Sequence, residues 1–154
     1  MPKNIEIERK FLVKSDAYKD LAVRKYSIIQ GYICREPGKT VRVRIRDKKA
    51  FLTIKSSKLY AGIARFEWER EIDYEDAKQL MVIAQPAIIE KTRWLVPEDN
   101  GLMWEIDEFH GKHSGLVLAE IELENETQPF NKPAFIGEEV TGNPRYYNAN
   151  LVDN

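Results

Sequence analysis

Apolar and polar residues alternate one for one through most of the chain, and a period of two predicts β-strands. IEIERKFLV near the N-terminus sets the pattern. Glu6, Glu8 and Lys10 share one face, and Ile5, Ile7 and Phe11 fill most of the other. YSIIQGYICR reads as a strand closed by the turn signal EPGK, and TVRVRIR and AFLTIKS, joined across DKK, as a hairpin. RFEWEREID, AIIEKTRWLV, LMWEIDEF and LVLAEIELE continue the series, separated by SSKLYAGIA, PEDNG and HGKHSG. After Asp73 the period changes. Ala77, Leu80, Met81 and Ala84 recur at helical spacing, with Glu75 and Asp76 in the first turn and Pro86 as a stop, which predicts an amphipathic helix. KSDAYKDLAV predicts a short helix capped by Ser15 or Asp16. In GNPRYYNANL, Asn143 caps another, with Pro144 in its first position.

About eight strands and two or three helices result, with strands close together in sequence, so the prediction is antiparallel hairpins in one large curled sheet. That is an α+β fold, mainly β. The length of 154 residues fits one domain over 1–154, and there is no internal repeat. A net charge of −1 gives no overall attraction to nucleic acid or acidic membranes, so any electrostatic function must come from local sorting of charge. The single cysteine, Cys34, cannot form an internal disulfide and reads as a small strand residue. Without a spanning apolar run or a signal-peptide core, the chain reads as cytoplasmic.

Sorting of charge is pronounced. Arg42, Arg44 and Arg46 lie opposite Val41, Val43 and Ile45, and Lys55 follows on the hairpin partner. Glu67, Glu69 and Glu71 alternate with Phe66 and Trp68, and Lys91 and Arg93 share a face. Glu105 and Asp107 alternate with Trp104 and Ile106, and Glu120, Glu122 and Glu124 with Ala119, Ile121 and Leu123. One charged strand face is ordinarily the wet side of a half-buried sheet. These faces use Glu and Arg almost exclusively, and each strand carries mainly one sign. A row of arginines repels itself unless acidic strands or an anion lie opposite. If the sheet closes, the charges line a lumen suited to a polyanion bound together with hard divalent cations, and helices cover the apolar faces. His110 and His113 fall in a Gly-rich turn and read as a solvated loop; Trp68, Trp94 and Trp104 read as core packing beneath the helices. Tyr146 and Tyr147 are placed to pack the terminal helix over one mouth, with Tyr32 reaching the same region.

ExExK at Glu6, Glu8 and Lys10, followed by FLV, resembles the signature of the CYTH superfamily, the triphosphate tunnel metalloenzymes. The resemblance runs in order through QGYI, TVRVR, FLTIK, RFEWE, EKTRW, WEIDEF, LAEIELE and EVTGNPRYYN, and is nearest to the bacterial single-domain inorganic triphosphatases. It implies a closed eight-stranded antiparallel β-barrel, a tunnel with helices packed outside. It also implies hydrolysis of tripolyphosphate to diphosphate and phosphate with Mg²⁺ or Mn²⁺. Carried over by position, Glu6, Glu8, Asp107, Glu120 and Glu122 would bind metal, and Lys10, Arg42, Arg44, Lys55, Lys91 and Arg93 would bind phosphate oxygens. Glu67 and Glu69 would orient basic groups or hold a second metal. Lys55, Glu69 and Lys91 form the catalytic set, with the proton acceptor left open between Lys55, Glu69 and no dedicated base. Other functions compatible with the resemblance are a class IV adenylate cyclase, a thiamine triphosphatase and a non-catalytic polyphosphate-binding module. The implied partner is a small-molecule triphosphate, without nucleic acid or membrane, acting on a monomer or homodimer.

Overall fold

The computed structural model describes residues 3–57 and 59–152. Nine strands alternate with short connections: β1 (Ile5–Val13), β2 (Arg24–Glu36), β3 (Lys39–Arg46), β4 (Lys49–Ser56), β5 (Ala64–Ile72), β6 (Ile88–Pro97), β7 (Met103–Phe109), β8 (Val117–Glu122) and β9 (Ile136–Glu139). All neighbours are antiparallel, in the order β5-β4-β3-β2-β6-β7-β8-β1, and β1 returns to β5. Three pairs make this closure, Ile5 opposite Phe66, Glu6 opposite Arg65 and Ile7 opposite Ala64. The result is the closed eight-stranded antiparallel barrel that the family resemblance implies, with β9 as an extra strand on the far half of β1. Closure leaves the barrel no open edges, which stabilises a large sheet against pairing with other chains.

The alternation sets the two sides of the wall. Outward residues of β2–β4 meet α2 (Tyr74–Ala84), where Val43, Ile45, Ala50, Ala77 and Met81 form one buried cluster. The Asp73 side chain caps α2, accepting from the Glu75 and Asp76 amides at 3.0 and 3.1 Å. Gly31 makes this packing possible, because a Cβ there would lie 2.6 Å from Ala84 Cβ and 2.8 Å from Ile88 Cδ1. On the other side, Trp104 is fully buried with edge-on contacts to Phe11 and Phe130. Its cover thus includes the long connection after β8 and is not helical alone. Trp94 packs edge-on against Tyr18 of α1 (Tyr18–Leu21), whereas Trp68 is only half-buried on the outer wall with Arg70 stacked over it.

Two local expectations need correction. The N-cap of α1 is Ala17, without a side-chain cap; Ser15, two residues before it, accepts from the Ala17 amide at 3.4 Å. His113 is half-buried and not solvated: its Nε2 donates to the Leu151 carbonyl, while His110 stays exposed against Thr92 Oγ1 at 2.8 Å. Asn143 caps a 3-10 turn (Pro144–Tyr146) by accepting from the Arg145 amide, as its position predicts, and α3 (Asn148–Leu151) follows.

One end of the barrel interior is apolar. Tyr32, Ile89, Phe109 and Leu118 point inward there, and Leu151, Tyr146 and Ala149 of the C-terminal segment pack onto them. That segment covers this end and leaves the charged stretch of the lumen beyond it.

Gly31→Ala should destabilise the protein by about 1–3 kcal/mol through overpacking beneath α2. Equilibrium denaturation in urea measures this, and an unchanged midpoint would show that α2 does not sit as close to β2 as described.

Candidate active site

Inward side chains of all eight barrel strands surround a cavity of about 680 Å³. Acid concentrates on β1 and β8. Glu8 lies opposite Glu122 and Lys10 opposite Glu120 in register, so four carboxylates, Glu6, Glu8, Glu120 and Glu122, crowd one wall. Basic residues from β3 and β6, namely Arg42, Arg44, Lys91 and Arg93, occupy another. Lys55, Glu67, Glu69 and Arg65 complete the circuit.

Crowding drives the acidities of the carboxyl groups apart. Burial, then the neighbouring Glu120 and Glu6 charges, push Glu8 well above the usual carboxylate range. Glu120 goes the other way: against the desolvation of burial, Lys10 first and then the hydrogen bond with Glu8 hold it well below. The opposite shifts and the hydrogen bond between them make Glu8 the weaker acid of the pair and Glu120 the stronger. Glu6 is held at about 2 despite burial, chiefly by Lys55 and a hydrogen bond with Glu67. Lys55 Nζ stands 2.9 Å from Glu6 and 3.4 Å from Glu67, which keeps its ammonium charged. Glu122, still open to solvent, is pushed up to about 7 by partial desolvation and by Glu6, Glu67 and Glu105.

The cationic wall has the converse problem. Asp107, fully buried, accepts from Arg93 Nε and Nη2 at 2.8 and 2.9 Å and from Lys91 Nζ at 2.7 Å. One carboxylate cannot neutralise two cations. Arg93, which also reaches Glu105 at 3.1 Å, stays firmly charged. Lys91 is lowered to about 7 by burial first, then by Arg93 and Arg44, outweighing Asp107. Arg44 is lowered to about 9 by burial and by Arg42 and Arg93. Arg42 reaches Thr53 Oγ1 at 3.2 Å and Glu69 at 3.6 Å, yet its Nε is buried with no partner among the described residues. Lys10 Nζ donates to the Tyr146 carbonyl at 2.9 Å, with Glu120 at 3.9 Å. Such a wall lacks negative charge, and a bound polyanion would supply it.

The structure gathers the sequence-predicted residues Glu6, Glu8, Lys10, Arg42, Arg44, Lys55, Glu69, Lys91, Arg93, Glu120 and Glu122 around this cavity. Asp107 sits behind the lining with both oxygens engaged by Arg93 and Lys91. Sequence reasoning missed Arg65, which lies 3.6 Å from Glu8 and 3.8 Å from Glu6, although it shares the strand parity of Glu67 and Glu69. It also missed Thr53, Gln30 and Asn148, neutral groups that no charge pattern marks. Arg9 lies on the outer wall in a two-point ion pair with Glu139.

Among the described residues, no three His, Cys, Asp or Glu side chains form a ready-made metal cage. The donors still suit Mg²⁺ or Mn²⁺. They are hard carboxylate oxygens without thiol or imidazole, and a divalent cation would relieve the repulsion that raises Glu8. Mg²⁺ in particular takes one or two carboxylates and fills its shell with water and phosphate oxygens.

A closed barrel with a carboxylate wall and an under-neutralised cationic wall has the donor set for a small polyanion taken together with divalent metal. The CYTH domain model matches residues 4–152, and the chain belongs to the CYTH domain family. It is 47% identical over 150 residues to an inorganic triphosphatase of Acetivibrio thermocellus, covering 97% of this chain and 94% of that one. It is 35% identical to an inorganic triphosphatase of Nitrosomonas europaea, covering 96% of each. A solved structure of an inorganic triphosphatase superposes with a TM-score of 0.68 at 33% identity, over 96% of this chain and 93% of that one.

The Glu122 shift has a stability consequence. Because its folded value of about 7 exceeds the ordinary 4.5, the folded state binds more protons between those values, and stability falls as pH rises through that window. In chelator, Glu122→Gln should therefore melt higher than the parent at pH 8. The advantage should vanish as pH drops below about 4.5. Thermal unfolding across this range tests it, and a variant less stable at pH 8 would contradict the shift.

Proposed function

We propose that this protein is a metal-dependent triphosphatase that hydrolyses inorganic triphosphate to diphosphate and phosphate in the barrel lumen. The observation that carries this reading is one cavity lined on one side by Arg44 and Lys91, which lack full compensation, and on another by the crowded carboxyl groups of Glu6, Glu8, Glu120 and Glu122. A triphosphate and a divalent cation repair both deficits at once. The nearly full-length relatives support the same activity.

In this assignment Lys10, Arg42, Arg44, Lys91 and Arg93 bind phosphate oxygens, with the guanidinium groups able to do so at two points. Glu6, Glu8, Glu120 and Glu122 would hold Mg²⁺ or Mn²⁺. Bound metal would supply charge neutralisation on phosphate oxygens and an activated water. Asp107 acts chiefly as the buried counter-charge that aims Lys91 and Arg93. Of the catalytic set, Lys55 is fixed between Glu6 and Glu67 as a donor only. Lys91 gains charge when the anion arrives and stabilises the transition state electrostatically. Glu69, which accepts from Thr53 Oγ1 at 2.6 Å and keeps 39% of its side chain exposed, is the acceptor of the set with access to the cavity.

The chain acts as a single domain over 1–154, as a monomer or homodimer in the cytoplasm. Its near-neutral net charge supports a small-molecule partner over nucleic acid, and among the described residues no helix is long and apolar enough to cross a membrane.

The test is product analysis with tripolyphosphate, ATP and thiamine triphosphate, each with Mg²⁺ and Mn²⁺. Phosphate released preferentially from tripolyphosphate supports the proposal. Diphosphate with cyclic AMP from ATP would assign a cyclase instead, preference for thiamine triphosphate would assign that substrate, and tight binding without turnover would leave a binding module.

Lys10→Ala should lower kcat/KM for tripolyphosphate by roughly 10²-fold, on the scale of losing one electrostatic stabiliser. Arg9→Ala, on the adjacent position but the outer wall, should change it little. Steady-state phosphate release from the two variants decides, and a damaging Arg9→Ala with a silent Lys10→Ala would reverse the strand's faces.

A further inference from the structure

Of Lys10, Arg42, Arg44, Lys55, Lys91 and Arg93, Arg44 alone has no carboxylate within 4.0 Å among the described residues. Its Nε instead donates to Gln30 Oε1 at 2.9 Å. Gln30 is completely buried on β2, directly opposite Arg44 in the ladder. Arginine can only donate, so the amide must turn its oxygen to Arg44. That orientation leaves the Gln30 NH₂ to donate to Tyr32 Oη at 3.2 Å and Asn148 Oδ1 at 3.1 Å. Asn148 Oδ1 also accepts from Lys91 Nζ at 2.9 Å. Two neutral amides therefore link two cations that repel each other, and the chain of donors and acceptors has one consistent orientation.

We propose that Gln30 is a positioning residue for triphosphate binding: it fixes the Arg44 guanidinium in the lumen without neutralising it, and through Asn148 it ties that setting to Lys91. This inference rests on the triphosphatase reading of the same lumen. A carboxylate at position 30 would fit the same space and would hold Arg44 at least as firmly. It would also cancel the charge that the anion needs. The other cations pair a neutral acceptor with a carboxylate or rest on carboxylates alone, whereas at Arg44 the neutral amide stands without one and separates orientation from charge compensation. The depressed basicity of Arg44 is consistent with this, since burial and its arginine neighbours act on it without a carboxylate to offset them.

The test uses the full chain with Mg²⁺ and the imido analogue of tripolyphosphate, read by titration calorimetry alongside thermal unfolding. Gln30→Glu should weaken analogue binding roughly 10-fold or more, while the unfolding temperature stays level or rises because the new carboxylate meets guanidinium. A merely structural glutamine would give the opposite pair of results. In an Arg44→Gln background the same change should cost no more than about 2-fold, since contacting residues couple and the residue acts through Arg44. Gln30→Met serves if Gln30→Glu does not fold; it removes all three hydrogen bonds of the side chain without adding charge and should weaken binding roughly 5-fold, again only when Arg44 is present. If the parent binds the analogue and either folded variant binds it equally well, or if the losses add fully to that of Arg44→Gln, Gln30 has no such role. Failure of the parent itself to bind would overturn the triphosphate reading and this inference with it.

Discussion

Three residue pairs between β1 and β5 close the sheet on itself, and closure changes the meaning of every charge on its inner face. On an open sheet those side chains would sit in water, where neighbouring charges interact weakly. Inside the barrel, desolvation makes each unpaired charge costly and each pair strong. Glu6, on the closing strand, shows the coupling between fold and site: the residue that pairs in register with Arg65 also accepts the Lys55 ammonium. The seam and the charged cavity are thus built from the same residues.

Pairing inside the lumen is incomplete, and incompletely on both walls. Asp107 serves two cations at once, and the Glu120 charge helps push Glu8 above the usual carboxylate range. A protein shaped for stability alone would replace such groups with apolar packing, which often stabilises by comparison. The apolar end of the same barrel, where Phe109, Leu118 and Leu151 pack together, shows that this solution was open to the fold. The charged stretch is better understood as half of an assembly whose other half is a polyanion and a hard cation.

Much of this was legible in the sequence because a strand's period of two prints both faces directly into the residue order. The sorting of charge by strand showed what a closed sheet would enclose, and the family resemblance supplied the closure itself and carried most lumen residues to their positions. What stayed hidden was of two kinds. Neutral groups such as Gln30, Thr53 and Asn148 carry no pattern, since their roles depend on hydrogen bonds across strands and to the distant C-terminal segment. Local endings were the other kind. Ser15 has the chemistry of a cap but stands two residues early, and Trp104 is covered by Phe130 of a connection whose sequence shows no regular period.

If the two walls are complementary halves of one site, metal and triphosphate must bind with positive coupling. Calorimetric titration of the imido analogue of tripolyphosphate, with and without Mn²⁺, and of Mn²⁺ with and without the analogue, measures this directly. The account predicts that each ligand tightens the other by the same factor, of at least about 10-fold, as linkage requires for one shared site. Tight binding of each ligand with no mutual effect would contradict it.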